Sequence, residues 1–255
     1  MIPADRQRQI LALVTQDKVV QVQDLSERFA VSVLTIRRDL DHLAEQGLIE
    51  RTHGGATLRR SLPIEPLYAQ KAAEYPQEKH AIAEAAAALI EEGDTVFINS
   101  GSTTFEVIKA LKNHRITIVT NNMDAAWIAN DDALFRLIFV GGVYRTRSHS
   151  VSGGLSQSVI DQVYANKAII GVDGFSLFAG LTTPVIEEAE TTRSMIARTV
   201  GKVIVVATGN KIGVLSNFST VGAEDIDVLI TDASGGKLLS RQELEDKDIE
   251  LVLVQ

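Results

Sequence analysis

Ser32-Val-Leu-Thr-Ile-Arg-Arg-Asp-Leu40 is the stretch on which the reading of this chain turns. Ile36, Leu40 and Leu43 recur at steps of four and three, the stripe of a helix with one buried face. Thr35, Arg37 and Arg38 then point outward near its start, with His42 further on, and Ser32 is a natural N-cap. The predicted helix runs from about residue 33 to 46, where Gly47 stops it. Upstream, Leu25 and Phe29 predict a second helix over 22–29, followed by a tight turn at Ala30-Val31. Residues 6–16 carry a further helical stripe, Ile10, Leu11, Leu13 and Val14, and residues 19–22 suit a short strand. Two helices joined by a tight turn, the second presenting a hydroxyl and two guanidiniums at its N-terminal half, form a helix-turn-helix, and that half enters the major groove of DNA. Either arginine can read guanine or clamp a phosphate. Downstream, Leu48-Ile-Glu-Arg, Gly54-Gly55 and Ala56–Leu58 predict a β-hairpin wing carrying Arg51 and His53. The candidate DNA contacts are therefore Ser32, Thr35, Arg37, Arg38, Arg51 and His53.

Charge does not oppose this reading. The 255 residues carry a net −8, but residues 1–60 hold 9 Lys+Arg against 8 Asp+Glu, and the remainder holds 16 against 25. Affinity for phosphates depends on the face presented, not on the total. There is no cysteine, so disulfides, thiolate catalysis and cysteine-rich zinc sites are excluded. The five histidines, His42, His53, His80, His114 and His149, have no ligand spacing, and neither a metal nor a cofactor is expected. The first residues lack the apolar core of a signal peptide and no apolar run is long enough to span a bilayer, so a cytoplasmic protein without membrane partners is expected.

Composition changes near residue 60. After Ser61-Leu-Pro-Ile-Glu-Pro-Leu67, with its two prolines, short Val/Ile-rich runs alternate with helical segments. The runs span 95–98, 116–120, 137–140, 168–172, 203–207, 228–231 and 249–254. Continuous apolar strands spaced by helices predict a mainly parallel, Rossmann-like α/β sheet covered on both faces. The expected organisation is a winged helix-turn-helix over 1–58, a linker over 59–75, and an α/β effector-sensing and oligomerisation domain over 76–255.

The first of these strands leads into Asn99-Ser-Gly-Ser-Thr-Thr-Phe105. Hydroxyls on Ser102, Thr103 and Thr104, a backbone left open at Gly101 and the positive end of a following helix, over about 105–111, make an anion seat. The loop lacks the lysine and spacing of a nucleotide-binding P-loop. Lys211, after the strand 203–207, and Arg145 and Arg147, after Gly141-Gly142, are candidate cations.

The run Ser32–Leu40, followed by Leu43, Gly47-Leu-Ile49 and Arg51-Thr-His-Gly-Gly-Ala56, resembles the DeoR family of bacterial transcription regulators. The resemblance continues through Asn99–Thr104, Thr120-Asn-Asn122, Gly141-Gly142, Gly171–Gly174, Gly180–Thr183, Glu187–Glu190 and Asn210–Gly213. It implies operator binding by the winged helix and a sugar-phosphate sensor domain similar in fold to ribose-5-phosphate isomerases, associating as a dimer or tetramer. The effector residues it implies, with those read above, are Asn99, Ser100, Gly101, Ser102, Thr103, Thr104, Asn121, Gly141, Gly142, Arg145, Asp173, Glu188 and Lys211. Three positions depart from the family pattern: Asn99 stands where Asp is usual, Thr192 where Lys usually follows Glu-Ala-Glu, and Asn210 within a loop that usually reads Asp-x-Ser-Lys-Phe-Gly.

An isomerase would need a general base and a group to steady an enediolate. Asp173, Glu188 and Glu190 are candidate bases, but no isomerase signature accompanies them. The expectation is a regulator, a repressor of a carbohydrate-use operon, with no catalytic residue. The alternatives are an isomerase-like enzyme with an appended DNA-binding domain, or a regulator answering to a protein partner.

Overall fold

The apolar stripe of 33–45 buries Ile36, Leu40 and Leu43 against Ile10, Val14, Leu25 and Phe29, closing a small core of its own. In this computed structural model, which describes residues 3–17, 19–45, 48–52, 54–58 and 65–255, helix α1 spans Pro3–Asp17, strand β1 Val19–Gln21, α2 Val22–Phe29 and α3 Val33–Glu45. Ala30 turns the chain between α2 and α3 in the left-handed region, φ 52°, and Ser32 Oγ accepts from the Thr35 N–H at 3.2 Å, the predicted cap. Strands β2 (Ile49–Arg51) and β3 (Gly55–Leu58) form the wing, with β3 between β1 and β2 in a three-stranded antiparallel sheet. A Cβ on Gly55 would meet the Val20 carbonyl oxygen at 1.8 Å, so only glycine permits that pairing. The predicted stop at Gly47, the wing residue His53 and the first connector proline, Pro63, lie outside the described residues.

Helix α4 (Tyr68–Ala73) forms within the stretch read as linker, and α5 (Pro76–Ala87) follows it. Then come β4 (Thr95–Ile98), α6 (Ser102–Ala110), β5 (Thr117–Thr120), β6 (Arg136–Phe139), a hairpin of β7 (Val143–Arg145) and β8 (Ser150–Ser152), α7 (Gly154–Ile160) and β9 (Lys167–Gly171). A second hairpin, β10 (Gly174–Ser176) and β11 (Gly180–Thr183), precedes α8 (Ile186–Ala197), β12 (Val203–Ala207) and β13 (Phe218–Ser219). The chain closes with β14 (Val228–Asp232), the short helices α9 (Ala233–Gly236) and α10 (Arg241–Glu245), and β15 (Glu250–Val254).

All seven predicted strand runs enter one parallel sheet, in the order β15-β14-β12-β9-β4-β5-β6. Its two faces carry separate cores. One gathers Phe97, Ile170, Met195 and Val205, the other Ile82, Ile98, Ile108 and Ile204. The antiparallel pieces, β7–β8 and β10-β11-β13, were not predicted. Their strands are only two to four residues long, too short for a period-2 pattern to show.

The connectivity determines where a ligand can sit. From β4 the chain steps outward to β5 and β6, then returns to the other side of β4 with β9 and steps outward again. The reversal lies between β4 and β9. In open parallel sheets the crevice beyond the strand ends opens at such a switch point.

Candidate functional site

A cleft lies at that place. β4, β9 and β12 end side by side, delivering Asn99, Asp173 and Thr208 to a common edge. Asn99 stitches the switch point together: its amide N–H donates to Gly171 O at 2.9 Å while its oxygen accepts the Gly171 N–H at 2.8 Å. The same N–H group also reaches Thr192 Oγ1 at 3.2 Å. Two departures from the family pattern are therefore neighbours, an amide and a hydroxyl standing where that pattern has a carboxylate and an ammonium.

Of the sequence-nominated effector residues, Asn99, Ser100, Gly101, Ser102, Thr103, Asp173, Glu188 and Lys211 line the cleft. Five others do not. Thr104 is fully buried and donates to Asn99 O at 2.7 Å, locking the turn into α6. Asn121 supports the loop from behind, accepting the Ser100 N–H at 2.7 Å. Gly141 and Gly142 make the positive-φ turn out of β6, where Ser156 donates to Gly141 O. Arg145 is held by Glu65 at 2.8 Å, outside the cleft.

Helix α6 starts at Ser102, three residues earlier than predicted, so its first turn forms the cleft floor. The first N–H groups of a helix have no partner within it and suit an anion, Thr103 lines the floor beside them, and the Ser102 hydroxyl donates to Lys71 O at 3.3 Å. The charges around it are unequal in their commitments. Lys71 pairs with Asp173 at 2.9 Å, and Asp173 also accepts from Thr183 Oγ1 at 3.1 Å. Burial opposes both charges, yet each holds the other ionised, Asp173 below the usual carboxylate range and Lys71 above the usual lysine value. The Lys211 ammonium has no hydrogen-bond or ion-pair partner among the described residues, while its backbone N–H donates to Thr208 O at 2.9 Å. Burial holds its ammonium below the ordinary lysine pKa, Asp173 partly offsets this, and the like charge of Lys71 adds to it. Glu188 is pushed upward by burial and by the neighbouring Asp173. Among the described residues the cleft thus offers an uncommitted cation, Lys211, and a helix N-terminus, with carboxylates and hydroxyls lining it as well.

Sequence reasoning missed Lys71, Glu74, Tyr75 and Lys79, all cleft-lining. Lys79 donates to the carbonyls of Lys71 and Glu74, closing the corner between α4 and α5, where Tyr75 takes a left-handed φ of 52° ahead of Pro76. A stretch of Ala, Lys and Glu beside two prolines reads as solvated helix, and nothing local shows that it folds over the sheet edge.

On the winged helix, Arg37 and Arg38 are exposed and have no ion-pair partner among the described residues. Their neighbour Asp39 is committed instead, buried against Arg6 at 2.6 Å and bonded by Gln7 at 2.9 Å. Ser32 and Thr35 share a hydroxyl contact of 2.9 Å at the start of α3. Arg51 bonds Asp41 at 2.9 Å and Gly55 O at 2.6 Å, which braces the wing against α3. His53 lies outside the described residues.

A winged helix with exposed guanidiniums on α3, joined to a parallel α/β domain with an anion-suited cleft at its switch point, is the build of a ligand-responsive DNA-binding transcription regulator. Residues 6–61 match the DeoR-like helix-turn-helix domain and residues 74–233 the DeoR C terminal sensor domain, and the chain belongs to the DeoR family. It is 34% identical to the HTH-type transcriptional regulator GlpR of Haloferax volcanii, covering 99% of this chain and 98% of that one. It is 35% identical to the glycerol-3-phosphate regulon repressor of Escherichia coli strain K12 (99% and 100%) and 33% identical to the regulator GolR of Listeria innocua (95% and 95%). Among solved structures it is similar to a probable sor operon regulator from Shigella flexneri, with TM-score 0.42, 11% identity and coverage of 65% and 90%, a likeness too low to argue from. No helix among the described residues is long and apolar enough to cross a membrane.

Proposed function

We propose that this protein represses a carbohydrate-use operon in the cytoplasm, holding double-stranded operator DNA through α3 and the wing as a dimer or tetramer, and that a phosphorylated sugar or polyol in the cleft controls its grip. The observation that carries the ligand class is Lys211, whose ammonium has no side-chain partner among the described residues and lines the same cleft as the first turn of α6. A phosphate satisfies that charge and the open N–H groups together, while Asp173, Glu188 and Asn99 suit a ligand's hydroxyls. The name of one relative, a glycerol-3-phosphate regulon repressor, supports the same class.

The site does no chemistry in this reading. Asn99 stands where the family pattern has Asp, and an amide has no basic group to offer. The test is a mobility shift on the DNA upstream of the protein's own gene, titrated with sugar and polyol phosphates, alongside an isomerase assay on the same compounds. A phosphate that changes the shift without being interconverted is expected. Turnover of pentose or hexose phosphates would replace this reading by an enzymatic one. A shift indifferent to every compound would leave the sensor reading without support.

A further inference from the structure

Only residues 59–64 separate Leu58, the end of the wing, from Glu65. Glu65 is firmly held. Its carboxylate accepts from Arg145 at 2.8 Å, and its carbonyl accepts from Arg147 Nε at 2.7 Å. Pro66 follows, which restricts the backbone. The Tyr68 N–H then donates to Arg147 O at 2.9 Å, and its ring stacks on His149 with centroids 4.5 Å apart. Three residues later the same segment enters the cleft. Lys71 places its ammonium on Asp173 at 2.9 Å, and its carbonyl accepts from Ser102 Oγ at 3.3 Å.

Residues 65–73 therefore form a strap with two anchors of different kinds. The near anchor, on Arg145 and Arg147, lies outside the cleft. The far anchor is made with groups that an anion would itself engage, the Ser102 hydroxyl at the start of α6 and the Lys71 ammonium. Helix α4 has only six residues to hold itself, so its seat depends on these contacts.

We propose that this strap registers the ligand: an anion at the N-terminus of α6 draws the Ser102 hydroxyl from Lys71 O and the Lys71 ammonium from Asp173, and the re-seating of Glu65–Ala73 is what the connector delivers to the winged helix. This rests on the phosphate-ligand reading above and specifies its regulation. A ligand hydroxyl replaces Lys71 as the partner of Asp173. Ligand and DNA are coupled because the two seats of the strap differ in affinity for the anion.

The test uses the full chain, the upstream DNA, and D-ribose 5-phosphate, sn-glycerol 3-phosphate and inorganic phosphate as probes. In the wild type, a saturating probe should make the Tyr68, Gln70 and Lys71 amides exchange with deuterium faster, by about tenfold. Glu65→Ala, which removes the near anchor's carboxylate, should bind the probe within about twofold of wild type, while the probe-induced change in DNA affinity falls from about tenfold towards none. Unchanged exchange over 65–73 at saturation, or full probe response of DNA binding in Glu65→Ala, would overturn the proposal. If Glu65→Ala does not fold, the exchange measurement on the wild type decides. If no probe binds the wild type, the phosphate reading falls and this inference with it, an outcome distinct from binding that leaves the strap in place.

Discussion

Asn99 shows what one residue decides. Its amide donates to Gly171 O and accepts from Gly171 N–H, a reciprocal pair that a carboxylate cannot make, because it has no N–H. Asn99→Asp should destabilise the α/β domain by about 1–3 kcal/mol in chemical denaturation, and adding Thr192→Lys should recover part of the loss, since the two side chains are neighbours. Additive losses would mean that the positions do not couple. Lys211 sets a pH dependence. Its ammonium titrates below the ordinary lysine value because burial disfavours the charge. Affinity for a phosphate ligand should be full while Lys211 is protonated and fall as pH rises through that depressed pKa, sooner than an ordinary lysine would allow. Lys211→Met should weaken binding and flatten the alkaline limb in calorimetry across pH. On α3, Arg37→Ala or Arg38→Ala should each weaken DNA binding by about 1–3 kcal/mol if a base contact is lost, or lessen its salt dependence if a phosphate contact is lost. Anisotropy titrations at several salt concentrations distinguish the two, and unaltered affinity in both variants would remove α3 from the interface.

At the scale of the element, α3 is held by its inward face and by one buried ion pair. Ile36 and Leu40 are wholly buried, and Asp39 meets Arg6 with both side chains less than a tenth exposed. Asp39→Ala strands the Arg6 guanidinium, and the winged helix should lose about 3–5 kcal/mol, read as an earlier unfolding transition; a loss below 1 kcal/mol would mean that Arg6 finds water. Helix α6 is placed as tightly. Thr104 donates to Asn99 O, and a Cβ on Gly101 would approach Thr104 Oγ1 to 3.2 Å. Gly101→Val should therefore disturb the first turn of α6 and abolish the ligand's effect while leaving DNA binding intact; a surviving response would place the seat elsewhere.

Across the whole molecule, the two parts are in contact beyond the connector. Leu215 packs against the winged-helix core, and Arg8 of α1 pairs with Glu243 of α10. Leu215 follows Lys211 by four residues, so the loop after β12 touches the cleft and the winged helix alike. A single winged helix buries little DNA surface, so the proposed operator binding calls for two, each on a half-site about one helical turn apart. Sedimentation of the protein should show at least a dimer at the concentration where the operator is half-saturated. A monomer bound at that point would exclude paired half-sites.

The sequence by itself determined the winged helix and the parallel sheet. The α3 stripe, the Ser32 cap and the seven Val/Ile runs are local patterns with a period set by backbone geometry, and all of them recur in the structure. It also nominated eight of the cleft-lining residues, seven of which follow strands whose ends gather at one sheet edge, while Glu188 on α8 came from the family resemblance. Only the tertiary structure separated Lys211, left uncommitted, from Arg145, already taken by Glu65, and only it brought Lys71 and Lys79 from the stretch beside the connector onto the cleft. Which charge remains unpaired depends on partners scores of residues away in the chain, and spacing along a sequence carries no record of those meetings.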